Sequence, residues 1–158
     1  MDSYAMPVDG DWPELRIGLV KITTEEKKIS SRDAMKRTVD NSMLYKSWPE
    51  QVEKDLAVLH DAIAATDFDV LGKTAENNAL AMHATGLGAW PPVLFWWPET
   101  VKAIHRVWEL RSDGVPVYLT MDAGPNVKLI AEEDRVDEIG KAIPDVEWVA
   151  PFDETRQL

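Results

Sequence analysis

The chain contains no cysteine. That excludes a disulfide framework and any thiolate metal site. Histidine is scarce too: His60, His83 and His105 are the whole supply, and no H-x-x-x-H pair occurs. A transition-metal centre is therefore not expected. No apolar run reaches membrane-spanning length. The opening residues, Met1-Asp-Ser-Tyr-Ala-Met-Pro-Val-Asp-Gly-Asp11, are acidic and show no signal-peptide pattern. The expectation is a cytoplasmic protein with no membrane partner. Positive charge is outnumbered, 17 Lys and Arg against 28 Asp and Glu, for a net charge of −11. Such a surface disfavours sequence-independent nucleic-acid binding and anionic membranes. It still permits a small anionic substrate, because a few local basic residues decide that. Internal repeats, low-complexity tracts and linkers are absent as well.

What is present suffices for one domain. The 158 residues are 45% hydrophobic and 28% charged, enough to bury a core. Leu15 to Ile22 is apolar on both faces, as an inner strand would be. Ser30, followed by Asp33, reads as the N-cap of a helix from Ser31 to about Val39. A longer helix is expected over Tyr45–Ala65, with Val52, Leu56, Leu59 and Ile63 as its apolar stripe. Asp67 caps the next helix, whose buried stripe is Phe68, Leu71, Ala75, Ala79 and Met82. Asn77, Asn78 and His83 lie on or beside that stripe and read as satisfied polar groups. Gly86-Leu-Gly88 ends this helix rather than preceding one, so it reads as a C-cap and not as a phosphate loop. Pro98 opens a helix to Asp113 with Val101, Ile104, Trp108 and Leu110 as core candidates. Asp134–Ile143 is a short amphipathic helix and Val146–Ala150 a last strand.

Between two strand-like runs, Val115–Leu119 and Val127–Ala131, lies Thr120-Met-Asp-Ala-Gly-Pro-Asn126. Gly124 permits positive φ, Pro125 fixes φ and Asn126 tolerates the left-handed region, so a tight turn is expected. Asp122 would then stand at a strand end, held rigidly and facing a cleft. The bland alternative is that it only bonds turn amides. Ser31 and Arg32 sit in a first helical turn, where free amides and the positive dipole end attract anions. The same position also suits an ordinary cap with a solvated arginine. Together the elements form an α+β layer arrangement, an antiparallel sheet with helices packed on it.

Four runs carry a resemblance: Ser30-Ser-Arg-Asp-Ala-Met-Lys-Arg-Thr38, Glu76-Asn-Asn-Ala-Leu-Ala-Met-His-Ala-Thr85, Gly88-Ala-Trp-Pro-Pro92 and Thr120-Met-Asp-Ala-Gly-Pro-Asn-Val-Lys128. In order and spacing they resemble diphosphomevalonate decarboxylase, of the GHMP small-molecule kinase superfamily. The resemblance runs roughly from Ser3 to Val149 and covers only the second half of that enzyme. It implies a GHMP kinase C-terminal-type domain with about four antiparallel strands, residues 1–158 forming a single domain. It further implies ATP-dependent phosphorylation and decarboxylation of mevalonate diphosphate to isopentenyl diphosphate, in the mevalonate route to isoprenoids. The motifs do not separate that substrate from mevalonate monophosphate.

Residue by residue, Asp122 matches the family's catalytic aspartate, Ser31 and Arg32 its substrate- and diphosphate-contacting pair, and Met35 and Ala123 its pocket wall. ATP and Mg2+ would be bound mainly by an N-terminal half that this sequence lacks, and by nothing in this chain alone. The implied partners are mevalonate diphosphate, a separate polypeptide carrying that half, or a second copy in a homodimer. The chain's end, Pro151-Phe-Asp-Glu-Thr-Arg-Gln-Leu158, departs from the Gly/Pro-rich ending common in the family. The competing reading is a non-catalytic relic or recruited interaction domain that keeps a diphosphate-affine surface. If an interface with a missing half is bared, Trp12, Trp96 and Trp97 are the expected exposed apolar groups.

Overall fold

The computed structural model describes residues 8, 10–25 and 29–152. Most of the irregular start, part of the link Thr23–Lys28 and nearly all of the polar tail therefore lie outside the described residues. The elements run β1 (Leu15–Val20), α1 (Ser31–Asn41), α2 (Trp48–Ala65), α3 (Phe68–Leu87), α4 (Pro98–Ser112), β2 (Tyr118–Thr120), β3 (Val127–Glu132), α5 (Val136–Ala142) and β4 (Glu147–Val149). Short 3-10 segments precede α2 (Met43–Ser47) and α5 (Glu133–Arg135). The four strands form one antiparallel sheet in the order β2-β3-β1-β4. This is the expected α+β arrangement, with β1 an inner strand.

Side chains alternate across the sheet and so feed two cores. Leu119, Val127, Leu129 and Ala131 pack with Ile104, Val107 and Leu110 of α4 and Ile139 of α5. On the opposite side Leu15, Tyr118 and Ile130 pack with Trp12, Ala62 and Leu71. Fully buried residues such as Leu119 and Leu129 each contribute about 1.5–3 kcal/mol relative to exposure. α3 passes the β2 edge and supplies residues to both cores.

Several expectations shift by a residue or a turn. β1 ends at Val20, because the Asn126 side chain takes the amides of Ile22 and Thr23 at 2.8 and 3.2 Å and draws the chain out of the ladder. On α2 Leu56 is exposed, while Asp55 is buried at the seam and accepts from Gln51 and from Asn78 of α3. A polar pair across the helix seam thus occupies the place expected for an apolar residue. On α4 Val101 and Trp108 are exposed, and Thr100 and Val107 take the inner positions. Trp108 lies at the flank, where its indole can donate to Glu76.

Trp12 is also not a surface group: it is 2% exposed and meets Phe68 edge-on at 6.5 Å. Trp96 is half-buried and Trp97 is 41% exposed. Among the described residues, the most exposed apolar side chains are instead Met43, Trp90 and Leu94.

Candidate functional site

α1 begins at a capped end. The Ser30 hydroxyl accepts the Asp33 amide at 3.0 Å and donates to the Asp33 carboxylate at 2.7 Å. This replaces the reciprocal backbone bond of a full capping box. Ser31 and Arg32 follow on the exposed first turn. The inner side of α1 carries Ala34 and Thr38, both buried against α3.

The turn after β2 is anchored from three directions. The Asp122 carbonyl accepts from the Gly124 amide at 2.7 Å and pairs with His83 Nε2 at 3.1 Å. Thr100, fully buried at the start of α4, donates its hydroxyl to the Pro125 carbonyl at 2.8 Å and accepts the Trp97 amide. Asn126 Oδ1 ties the far end of the turn to the exit of β1. The expected left-handed residues play no part, since the positive-φ residues among those described are Thr66, Gly114 and Asp145. Side-chain anchors do what a left-handed glycine was expected to do.

A small cleft, open to solvent, lies between α1, α3 and this turn. Ser31, Met35, Met82, His83, Phe95 and Ala123 are among its lining residues. Thr38 and Thr85 also line it, but their hydroxyls are turned onto the Ala34 and Met82 carbonyls. Those hydroxyls are thus already bonded within the helices, and the cleft lining is mainly apolar. Gly86 packs closely under the Val93 segment, where a Cβ would lie 3.3 Å from the Val93 carbonyl oxygen, a tight contact. Gly88 caps α3 with ordinary helical φ, and its amide bonds Ala84 while that of Ala89 bonds Gly86. The segment thus spends these amides internally and offers no phosphate cradle.

Of the residues singled out from sequence, Ser31, Met35 and Ala123 meet in the cleft lining. Arg32 and Asp122 flank it through their chain neighbours Ser31 and Ala123, without themselves belonging to the lining. The Asp122 side chain is 67% exposed and pairs with Lys128 at 3.4 Å, a contact worth about 0–1 kcal/mol at such exposure. Lys128 sits opposite Thr120 in the β2–β3 register, which is why it reaches the turn. That hairpin register was the signal that could have found it.

His83, read from sequence as a satisfied polar group, is 5% exposed, with Trp96 at 5.2 Å and Phe95 at 6.1 Å between ring centroids. Burial pushes its pKa below the ordinary value, against the smaller opposing pull of the Asp122 carbonyl and charge. The ring is thus neutral at pH 7, and because a carbonyl can only accept, Nε2 carries the proton.

Residues 18–154 match the family model for the mevalonate 5-diphosphate decarboxylase C-terminal domain. The diphosphomevalonate decarboxylase of Saccharomyces cerevisiae is 32% identical over 135 residues, which are 81% of this chain and 34% of that protein. The mevalonate diphosphate decarboxylase of Staphylococcus aureus superposes with a TM-score of 0.82 at 36% identity, over 96% of this chain and 45% of that one. The enzyme of the same name from Enterococcus faecalis, in a structure described as showing mevalonate diphosphate mediated ATP binding, gives 0.79 at 39% identity over 86% and 42%. The chain spans between a third and a half of the length of these relatives.

Proposed function

Since this chain belongs to the mevalonate 5-diphosphate decarboxylase C-terminal domain family, we propose that it supplies the substrate-facing part of an ATP-dependent decarboxylase making isopentenyl diphosphate from mevalonate diphosphate. The observation that carries this reading is the convergence on one cleft of the α1 N-terminal turn, the buried face of α3 and the anchored turn bearing Asp122. Ser31 and Arg32, at a helix N-terminus, suit the diphosphate. Asp122 then stands beside the tertiary hydroxyl, where a carboxylate can accept its proton and stabilise the positive charge that develops as the phosphate departs, before loss of carbon dioxide supplies the electron pair of the new double bond. Met35 and Ala123 wall the carbon skeleton.

ATP, with Mg2+, supplies the phosphoryl group that converts the hydroxyl into a leaving group. The segment Gly86–Gly88 does not fit its phosphates, since its neighbouring amides are used within the chain. That task falls to an N-terminal half, with Met43, Trp90 and Leu94 as apolar surface for it to cover.

The test mixes the purified 158-residue chain with the N-terminal half of a relative and follows carbon dioxide release from mevalonate diphosphate and ATP. Turnover is expected with both halves together and with neither alone, because phosphoryl transfer depends on positioning. Release by this chain alone would overturn the division of labour. No turnover in any pairing, together with diphosphate binding by the chain, would favour the relic reading.

A further inference from the structure

Asp122 has little of its own to hold it. Its carboxylate is largely exposed, and its ion pair to Lys128 is long at 3.4 Å. What is fixed is the peptide that follows it, whose carbonyl receives the Gly124 amide and His83. The Gly124 bond is local and moves with the turn. The His83 bond reaches across 39 positions to α3, a helix that is itself fastened to β2 through Glu76 and the Leu119 amide at 3.2 Å. The imidazole has limited freedom to shift, being buried with Phe95 and Trp96 around it.

We propose that His83 is the positioning residue for Asp122: its Nε2–H, donated to the Asp122 carbonyl, sets the direction in which the carboxylate leaves the backbone. The inference rests on the reading of Asp122 as the catalytic group. It assigns a task to a buried donor that the proposed chemistry does not otherwise use. A core histidine with no such task would be replaceable by any group that fills its volume.

Two substitutions separate these cases. His83→Phe keeps a ring among the aromatic neighbours and removes the donor. His83→Gln keeps an N–H at nearly the same reach and loses the ring. In the two-half enzyme, His83→Phe should lower kcat by about 10²-fold with KM little changed, the scale of a misplaced catalytic group. His83→Gln should restore most of that rate although it melts at a lower temperature.

The chain by itself gives an independent readout by nuclear magnetic resonance. Wild type should show the Nε2–H tautomer at His83, and the Gly124 amide resonance should move in His83→Phe and stay in His83→Gln. An Nδ1–H tautomer, an unmoved Gly124 amide in His83→Phe, or losses of kcat that simply track melting temperature would overturn the proposal. Failure of the wild-type halves to turn over would instead sink the proposed function. In that case the tautomer and the Gly124 amide still decide whether His83 holds the turn.

Discussion

Glu76 and Arg111 meet in a two-point ion pair, with both terminal guanidinium nitrogens 2.9 Å from carboxylate oxygens. The same carboxylate accepts the Trp108 indole at 2.8 Å and the Leu119 amide at 3.2 Å. Glu76 is therefore a buried charge with every contact supplied, joining α3, α4 and β2. Breaking one side of such a pair typically costs 3–5 kcal/mol. Arg111 keeps 31% side-chain exposure, so water can recover part of its loss. Glu76→Ala should cost about 3 kcal/mol, read as a lower urea midpoint.

Gly72 faces the Tyr118 ring so closely that a Cβ there would lie 2.0 Å from the ring carbon Cδ2. In an exposed helix Gly→Ala stabilises by about 1 kcal/mol. Here overpacking against a buried ring should outweigh that gain, since such clashes cost about 1–3 kcal/mol. Gly72→Ala should melt lower than wild type. A higher melting temperature would mean that α3 slides off β2 at no cost.

The Tyr118 hydroxyl donates to Asp69 at 2.8 Å. Its pKa is pushed up to about 12, by burial first and by the Asp69 bond next. In the unfolded chain the phenol loses its proton near 10. Between those values the unfolded state has shed the proton and the folded state still holds it, so stability falls as pH rises. The contribution is whole below about 10 and gone above about 12. Urea midpoints across this range should fall more steeply for wild type than for Tyr118→Phe, and parallel curves would refute the assignment.

In the reconstituted enzyme, Asp122→Asn and Arg32→Ala should fail differently. Asn keeps the shape and suits the turn, yet cannot take a proton, so kcat should fall by about 10²–10⁴-fold. If Arg32 holds the diphosphate as proposed, Arg32→Ala removes a contact made both before and during the reaction, so KM should rise first. Near-normal turnover by Asp122→Asn with only a lower melting temperature would make Asp122 a turn-bonding residue and nothing more.

Much of the fold was legible because periodicity reports burial. The two-sided apolar run of β1 and the N-caps Ser30 and Asp67 could be read directly. What escaped were positions where a polar partner beats an apolar one. Asp55 displaces Leu56 at a helix seam, and Thr100 displaces Val101, because each meets a donor or acceptor from elsewhere in the chain. The cleft residues Ser31, Met35 and Ala123 came from motifs, and the structure gathers them. His83 and Lys128 lie in the same motifs, but their contacts with the turn could not be read, since the partner is 39 positions away for one and across a hairpin for the other.

The strand order also constrains how the chain comes together in time. β1 is synthesised before every other described element, yet it sits between β3 and β4, and Leu15 pairs with Glu132. On the ribosome it must therefore wait, unpaired and apolar on both faces, until nearly the whole remainder has emerged. The helices and the β2–β3 hairpin can form from local contacts during that wait, whereas closing so long a loop is slow. β1 can join the sheet only once β3 is out, and β4, whose sheet neighbour is β1, only after that; until then an unpaired β1 is open to aggregation.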